Sequence, residues 1–177
     1  MRRLTVVFVT VFVLAIPAVA QAANPHFRRN GTPRCTDTGS ELVCTGSLTG
    51  LGNQDLVLSL SADAFAEFFC GAPGNRRLAP GQNKVPFAAS GDQTVPGSEI
   101  KNGNATFRVS APEEAPPTPT PEEAGCANPN WHVVPGANDI DFSNIRLTIT
   151  QGVLLFTCTY GPEVGEGQTV TLDCVAA

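Results

Sequence analysis

Apolar and polar residues alternate with a period of two along several stretches of the chain. In "LVCTGSLT", residues 42–49, every second residue is apolar or small, and the pattern recurs in "LVLSLS" at 56–61 and "IRLTIT" at 145–150. Such alternation is typical of strands that bury one face. The segments 153–158 and 169–174 predict two further strands.

Residues 61–69, "SADAFAEFF", fit either a short helix capped by Ser61 or a continuation of the preceding strand. Because the alternation continues from Leu60 and the flanking segments are strands, we predict a strand. The Asn102-Gly103 pair tolerates positive φ and predicts a tight hairpin turn. Seven to nine short strands with frequent turns predict an all-β fold, an antiparallel, immunoglobulin-like β-sandwich.

We expect a single domain over residues 35–177, preceded by a flexible N-terminal segment at 23–34. Within the domain, residues 111–124 read "APEEAPPTPTPEEA". Proline fixes φ and removes a backbone donor, so this Pro/Glu-rich stretch predicts an exposed loop. A spacer role is favoured over that of a proline-rich ligand for a partner.

The first 22 residues have the pattern of a secretory signal peptide. Arg2 and Arg3 precede an apolar run from Leu4 to Ile16, and small residues follow. We predict cleavage after Ala20 or Ala22. The run is shorter than the roughly 20 residues that span a membrane, so we expect a secreted protein with no membrane anchor after cleavage.

Six cysteines in an oxidising compartment predict three disulfides. They allow 15 connectivities, and local geometry favours one of these. Turn-rich residues separate Cys35 from Cys44, and a glycine-rich connection separates Cys158 from Cys174, so each pair should close a hairpin. Cys70 then pairs with Cys126. Zinc is the competing interpretation, but the chain has no C-x-x-C pair and two histidines, so we predict no metal and no cofactor.

The mature chain is acidic. Without Arg2 and Arg3, nine basic residues oppose sixteen acidic ones, a formal charge of 9 − 16 = −7. This sign disfavours nucleic acid and anionic lipid as partners. We expect a protein or cell-surface partner instead.

The titratable residues do not form a catalytic pattern. A serine or cysteine hydrolase needs a histidine that a carboxylate orients, but His26 lies in the N-terminal segment and His132 adjoins the only tryptophan. The stretch "NDIDFSN", 138–144, lacks the glycine and glutamate that a calcium loop requires. We therefore predict no catalytic residues and no enzyme.

Two places carry candidate binding residues. In "CGAPGNRRLAPGQNKVPF", residues 70–87, glycine and proline predict a tight connection with Arg76 and Arg77 at its tip. The pair could dock a carboxylate, although a plain turn is the favoured interpretation. Trp131 could stack on a sugar ring, but a large aromatic residue close to a cystine more often packs in the core.

A set of short motifs lies between about Cys44 and Thr150: Cys44-Thr45-Gly46, Gly50-Leu51-Gly52-Asn53, Cys70 with Pro73-Gly74-Asn75, Ala79-Pro80-Gly81-Gln82-Asn83, Lys101-Asn102-Gly103, and the segment from Cys126 to Trp131. Together they resemble a group of small secreted bacterial proteins with no assigned activity. The resemblance implies a disulfide-stabilised β-sandwich and secretion. It implies no catalytic or binding residues.

These features lead to one expected function and one alternative. We expect a secreted, non-catalytic structural or interaction module that acts at the cell surface or outside the cell. The alternative is a carbohydrate-binding or hydrolytic extracellular domain. An exposed Trp131 beside Tyr160 or a phenylalanine would favour sugar binding, and a carboxylate bonded to His132 would favour catalysis.

The disulfide assignment predicts a ranking of stabilities. Loop-closure entropy makes a bridge between Cys70 and Cys126 worth about 4 kcal/mol, whereas the Cys35–Cys44 bridge closes the shortest loop and should contribute least. Replacing Cys70 and Cys126 together by Ala should therefore lower the melting temperature more than replacing Cys35 and Cys44 together. Thermal unfolding followed by circular dichroism measures this difference, and equal shifts would contradict the ranking.

Overall fold

The computed structural model describes residues 24–39, 41–74, 77–112 and 118–177. The predicted signal peptide at 1–22 lies outside them, as do residues 113–117 of the Pro/Glu-rich stretch. Within these ranges no helix is long and apolar enough to cross a membrane. The described residues form eleven strands: β1 (His26–Phe27), β2 (Arg34–Asp37), β3 (Glu41–Thr49), β4 (Leu56–Gly71), β5 (Leu78–Pro80), β6 (Val85–Val95), β7 (Ala105–Pro112), β8 (His132–Gln151), β9 (Val153–Tyr160), β10 (Thr169–Thr171) and β11 (Asp173–Ala176).

The strands form two antiparallel sheets. In sheet A, β3 pairs with β7 on one edge and with β2 and β1 on the other, and β10 pairs with β2. In sheet B the order is β11-β9-β8-β4, and β6 and β5 pair with successive parts of β4. The all-β prediction is confirmed, but the immunoglobulin-like topology is not.

The pairing of β4 with β8 is the longest ladder in sheet B. Buried and exposed residues alternate along β4 from Leu56 to Cys70, which confirms the strand predicted at 61–69. Two register shifts interrupt the ladder, near Ser61 and near Ala66. The prediction of seven to nine short strands was wrong, because β4 and β8 have 16 and 20 residues and several two- to four-residue strands escape the period-two pattern.

One cluster of buried apolar side chains contains residues of both sheets. Sheet A contributes the inward side chains of β3 and β7, including Leu42, Leu48 and Phe107, and sheet B contributes those of β4 and β8, including Leu58 and Ile149. Burial of this apolar area is the main favourable term in folding. The alternation therefore leaves the opposite faces of both sheets in water.

All three predicted disulfides form: Cys35–Cys44, Cys70–Cys126 and Cys158–Cys174. The first and third join residues that are directly opposed, one pair between β2 and β3 and the other between β9 and β11. The second ties the end of β4 to the segment before β8. None of the three connects a strand of sheet A to a strand of sheet B.

The segment predicted as one last strand, residues 169–174, divides between the sheets. β10 pairs with β2 in sheet A, and β11 pairs with β9 in sheet B. Leu172 lies between them, 1% exposed, and its N–H donates to the Pro33 carbonyl. Local alternation cannot reveal such a change of sheet, because Leu172 keeps the inward phase of a single strand.

The two segments predicted to be loose or exposed contain ordered contacts. In the N-terminal segment 23–34, β1 pairs with β3 and Arg34 begins β2. In the 111–124 stretch, Ala111 belongs to β7 and Ala124 is fully buried. Thr120 donates from its N–H and its hydroxyl to the Glu123 carboxylate, which lowers the pKa of Glu123.

Strands β6 and β7 lie close together where an edge of sheet B meets an edge of sheet A. The closest approach is at Gly91 of β6, where a Cβ atom would overlap the carbonyl oxygen of Ser110 in β7. Only hydrogen fits at this place, so Gly91 sets the distance between the two edges.

We predict that Gly91→Ala destabilises the fold, because backbone atoms cannot move aside as a flexible side chain can. The expected loss in free energy of unfolding is about 2 to 3 kcal/mol, or roughly 5 to 10 °C in melting temperature for a domain of this size. Gly161→Ala is the matched control, since a Cβ there meets no atom within 4 Å. Thermal and guanidinium unfolding of both variants measure the difference, and similar losses would refute the contact.

Candidate functional site

The candidate binding residues predicted from the sequence lie at one end of sheet B. Gly71, at the end of β4, pairs with Leu78 on one side and with His132 on the other. Arg77 directly precedes Leu78, and Trp131 directly precedes His132, so the fold brings both to the same end of the sheet. Arg76 lies outside the described residues.

Tyr160, one of the neighbours expected for a sugar-binding Trp131, does not lie beside it. Trp131 is partly buried, and Tyr160 pairs with Ile145, so much of the length of β8 separates the two rings. In the part of the chain that the structure describes, the recorded ring contact is Phe27 with Phe156, whose centroids are 4.5 Å apart. Trp131 is therefore not part of an aromatic platform with Tyr160.

His132 packs against backbone rather than against a carboxylate. A Cβ on Gly71 would overlap the imidazole ring, so the ring covers the Gly71 backbone. Among the described residues its side chain makes no hydrogen bond or ion pair. His26, on β1 of the other sheet, bonds the Asn24 carbonyl at 2.8 Å. Neither histidine is oriented by a carboxylate in this arrangement.

A cleft of about 540 Å³ lies where the first described residues, the last residues and the β8–β9 hairpin meet. Val153 and Leu154 line it and are 66% and 45% exposed. The buried amide of Gln151 is used within the chain, since it bonds backbone groups of Gly52 and Gln54 at 2.7 to 3.2 Å. The cleft is thus apolar where the β8–β9 hairpin lines it and polar at Asn24 and Gln54, beside the internal hydrogen bonds of Gln151.

Three charged side chains form a cluster beside the middle of β4 and β8 in sheet B. Lys84, before β6, donates to Asp141 of β8 and, at 3.0 Å, to Glu163 after β9. The hydrogen bond to Asp141, followed by the one to Glu163, raises the pKa of Lys84 well above its usual value. The cluster ties the segment before β6 and the segment after β9 to β8. The Lys84 ammonium group already contacts two carboxylates.

The outward face of sheet A carries a row of exposed arginine and threonine side chains. Thr45 of β3 lies opposite Arg108 of β7 and opposite Arg34 of β2, and Arg34 lies opposite Thr171 of β10. Directly opposed residues project to the same face of a sheet. Adjacent strands are about 4.8 Å apart, so the backbones of Arg34 and Arg108 lie about 10 Å apart with one hydroxyl between them.

A second row lies beside the first. Ser47 of β3 is opposite Thr106 of β7, and on its other side the Arg28 N–H donates to the Ser47 carbonyl at 3.1 Å. Arg28 and Thr106 line a shallow cleft of about 260 Å³, together with Lys101 and Glu99. We refer to the two rows as the arginine face, defined as Arg28, Arg34, Thr45, Ser47, Thr106 and Arg108.

The arginines of this face are mostly without intramolecular partners. Over the described ranges, the side chains of Arg28, Arg34 and the neighbouring Arg29 make no hydrogen bond or ion pair. Arg108 contacts Glu41 at 3.4 Å, and its side chain is 61% exposed. Internal ion pairing therefore does not explain why these arginines cluster. Like charges on one face also oppose folding slightly.

The face also stands out against the charge of the whole chain. The described ranges contain eight basic residues, and five of these lie on the arginine face or beside it: Arg28, Arg29, Arg34, Lys101 and Arg108. Glu41 and Glu99 are the acidic residues found in contact with the face or its cleft. An acidic protein therefore presents a locally basic surface on the outward side of sheet A.

One feature of the sequence predicts part of this face. If Cys35 pairs with Cys44, then Arg34 must lie opposite Thr45, since antiparallel partners advance in opposite directions. The contribution of Arg108 depends on the pairing of β3 with β7, which no local pattern predicts.

Comparisons of the chain with models of protein families, with curated proteins and with solved structures found no match. The three disulfides and the strand-rich fold suggest a disulfide-rich group of proteins, and the resemblance to small secreted bacterial proteins stays a prediction from the sequence motifs. In the described ranges, no group of three or more histidine, cysteine, aspartate or glutamate side chains could hold a metal ion.

The lysine cluster leads to a prediction about stability. Lys84→Gln should lower the free energy of unfolding by about 1 kcal/mol, because Asp141 is only 16% exposed and loses its cation. The melting temperature should fall by roughly 2 to 4 °C. Arg146→Gln, which removes an exposed and unpaired arginine, is the control and should have little effect.

The pH dependence of that effect has a defined sign. The folded-state pKa of Lys84 is raised, so its contribution is complete below the ordinary lysine pKa of about 10.4 and is lost only as the pH rises through the higher folded value. The difference between wild type and Lys84→Gln should therefore stay constant between about pH 6 and pH 9. A difference that disappears by pH 9 would show that the ion pairs do not stabilise the fold.

Proposed function

We propose that the protein is a secreted, non-catalytic interaction module that binds an anionic partner at the cell surface through the arginine face. The scaffold is the pair of antiparallel sheets with one shared core, which we take to be a β-sandwich. The signal-like residues 1–22 and the three disulfides support an extracytoplasmic location.

The observation that carries the proposal is the set of exposed arginines on β2, β7 and the turn after β1. Among the described residues, the side chains of Arg34 and Arg28 make no hydrogen bond or ion pair, and Arg108 contacts Glu41 at 3.4 Å. An arginine guanidinium presents several donors in one plane and binds carboxylate or phosphate groups in two-point contacts. Arg34 and Arg108 offer two such groups on a firm platform, since both belong to strands that β3 joins. Side chains on paired strands keep their spacing better than side chains on a loop.

The alternative, a carbohydrate-binding or hydrolytic domain built around Trp131 or His132, draws less support. Trp131 is partly buried and far along β8 from Tyr160, and the His132 ring rests on Gly71. Arg77 lies at the same end of the molecule and stays a candidate contact there.

We predict that the secreted protein is retained on the producing cells and released by a high-salt wash, because exposed charge pairs are screened by salt. Replacing Arg34 and Arg108 together by Ser should lower the retained fraction about tenfold. Immunoblots of the cell and medium fractions measure it.

The control is Arg146→Ser. Arg146 is also an exposed strand arginine between hydroxyl residues, Ser61 and Thr159, but it stands on sheet B. It should be retained like the wild type. If the Arg34 and Arg108 variant is retained as well as the wild type, the arginine face is not the binding surface.

A further inference from the structure

We propose that the anionic partner is a polysaccharide with carboxylate groups, which lies across β7, β3 and β2. Its carboxylates contact Arg108, Arg34 and Arg28, and its neutral hydroxyls contact the serine and threonine side chains between them. This inference rests on the proposed function and names the partner class at the same surface.

The spacing of the face matches a sparse anion better than a dense one. The row across the sheet alternates a cation, a hydroxyl, a second cation and a second hydroxyl: Arg108, Thr45, Arg34 and Thr171. The two cations are about 10 Å apart. Double-stranded DNA carries one charge per roughly 1.7 Å of its axis, whereas a chain of acidic sugars carries one carboxylate per sugar unit, with neutral hydroxyl groups between successive charges.

The acidic residues at the border of the face point to the same class. Glu41 reaches Arg108, and Glu99 lines the cleft beside Arg28. A carboxylate accepts hydrogen bonds from neutral hydroxyls but repels a closely charged polymer. The net charge of the predicted mature chain, −7 from nine basic and sixteen acidic residues, adds a long-range repulsion that a densely charged nucleic acid or an anionic membrane would meet most strongly.

The cleft beside Arg28 suits one unit of a longer chain. Its volume of about 260 Å³ lies below the roughly 300 to 1,000 Å³ of pockets that enclose a whole drug-sized ligand. Lys101 and Arg28 supply cations there, while Glu99, Asn104 and Thr106 supply hydrogen-bonding groups. A polymer can fill this cleft with one sugar and continue along the open row at Thr45.

The test is affinity electrophoresis of the purified, disulfide-bonded protein in gels that contain polygalacturonate or, as the neutral comparison, dextran. We expect retardation by polygalacturonate alone. Binding should weaken roughly twentyfold between 50 and 200 mM salt, since about three ion pairs form. Arg34→Ser with Arg108→Ser should weaken it about tenfold, and Arg146→Ser should leave it unchanged. Arg28→Ser, outside any strand, tests the face without risk to sheet pairing.

The other anions separate the outcomes. Equal or tighter binding to single-stranded DNA or to phosphatidylglycerol vesicles overturns the polysaccharide. The polysaccharide is also overturned if the protein fails to bind polygalacturonate while its retention on cells still depends on Arg34 and Arg108. That result leaves the proposed function intact. If neither retention nor binding depends on the arginine face, both proposals fall.

Discussion

The register between β2 and β3 is the constraint on which the arginine face depends. Side chains alternate between the two faces of a sheet, so a slip of one residue would turn Arg34 into the core and Cys35 into water. The Cys35–Cys44 disulfide joins residues that are directly opposed, one position from Arg34 and Thr45. It closes the shortest loop of the three and contributes least through chain entropy, but it excludes every other register at this place.

Packing against sheet B through the shared core restricts the movement of the strands that carry the arginine face. The long ladder of β4 and β8 buries alternate side chains in the same cluster as those of β3 and β7, so the inner side of these two strands of sheet A packs against sheet B. Gly91 lets the edges of β6 and β7 approach to backbone contact, and Leu172 lets the last strand pass from one sheet to the other. Side chains on such a platform lose less freedom on binding than loop residues do.

Local pattern was enough to predict much of the fold but little of the site. Period-two alternation identified the central strands, and short spacing identified two cystines, which left the Cys70–Cys126 pair. The two-sheet arrangement depends on contacts between distant segments, such as the pairing of β3 with β7, which local alternation does not encode. The same limit applies to function. Neighbouring turn residues mark Arg77 as a candidate in the sequence, whereas Arg34 and Arg108 become neighbours only through the pairing of β3 with β7.

The most direct test is to identify the residues that an acidic polysaccharide contacts. Nuclear magnetic resonance spectra that resolve the arginine Nε–H groups, recorded during titration with oligogalacturonate, report on each guanidinium separately. We predict that the signals of Arg28, Arg34 and Arg108 shift together and saturate, while the signal of Arg146 does not move. Shifts confined to Arg77 or Arg146, or the same small shift at every arginine, would contradict a binding site on the outward face of sheet A.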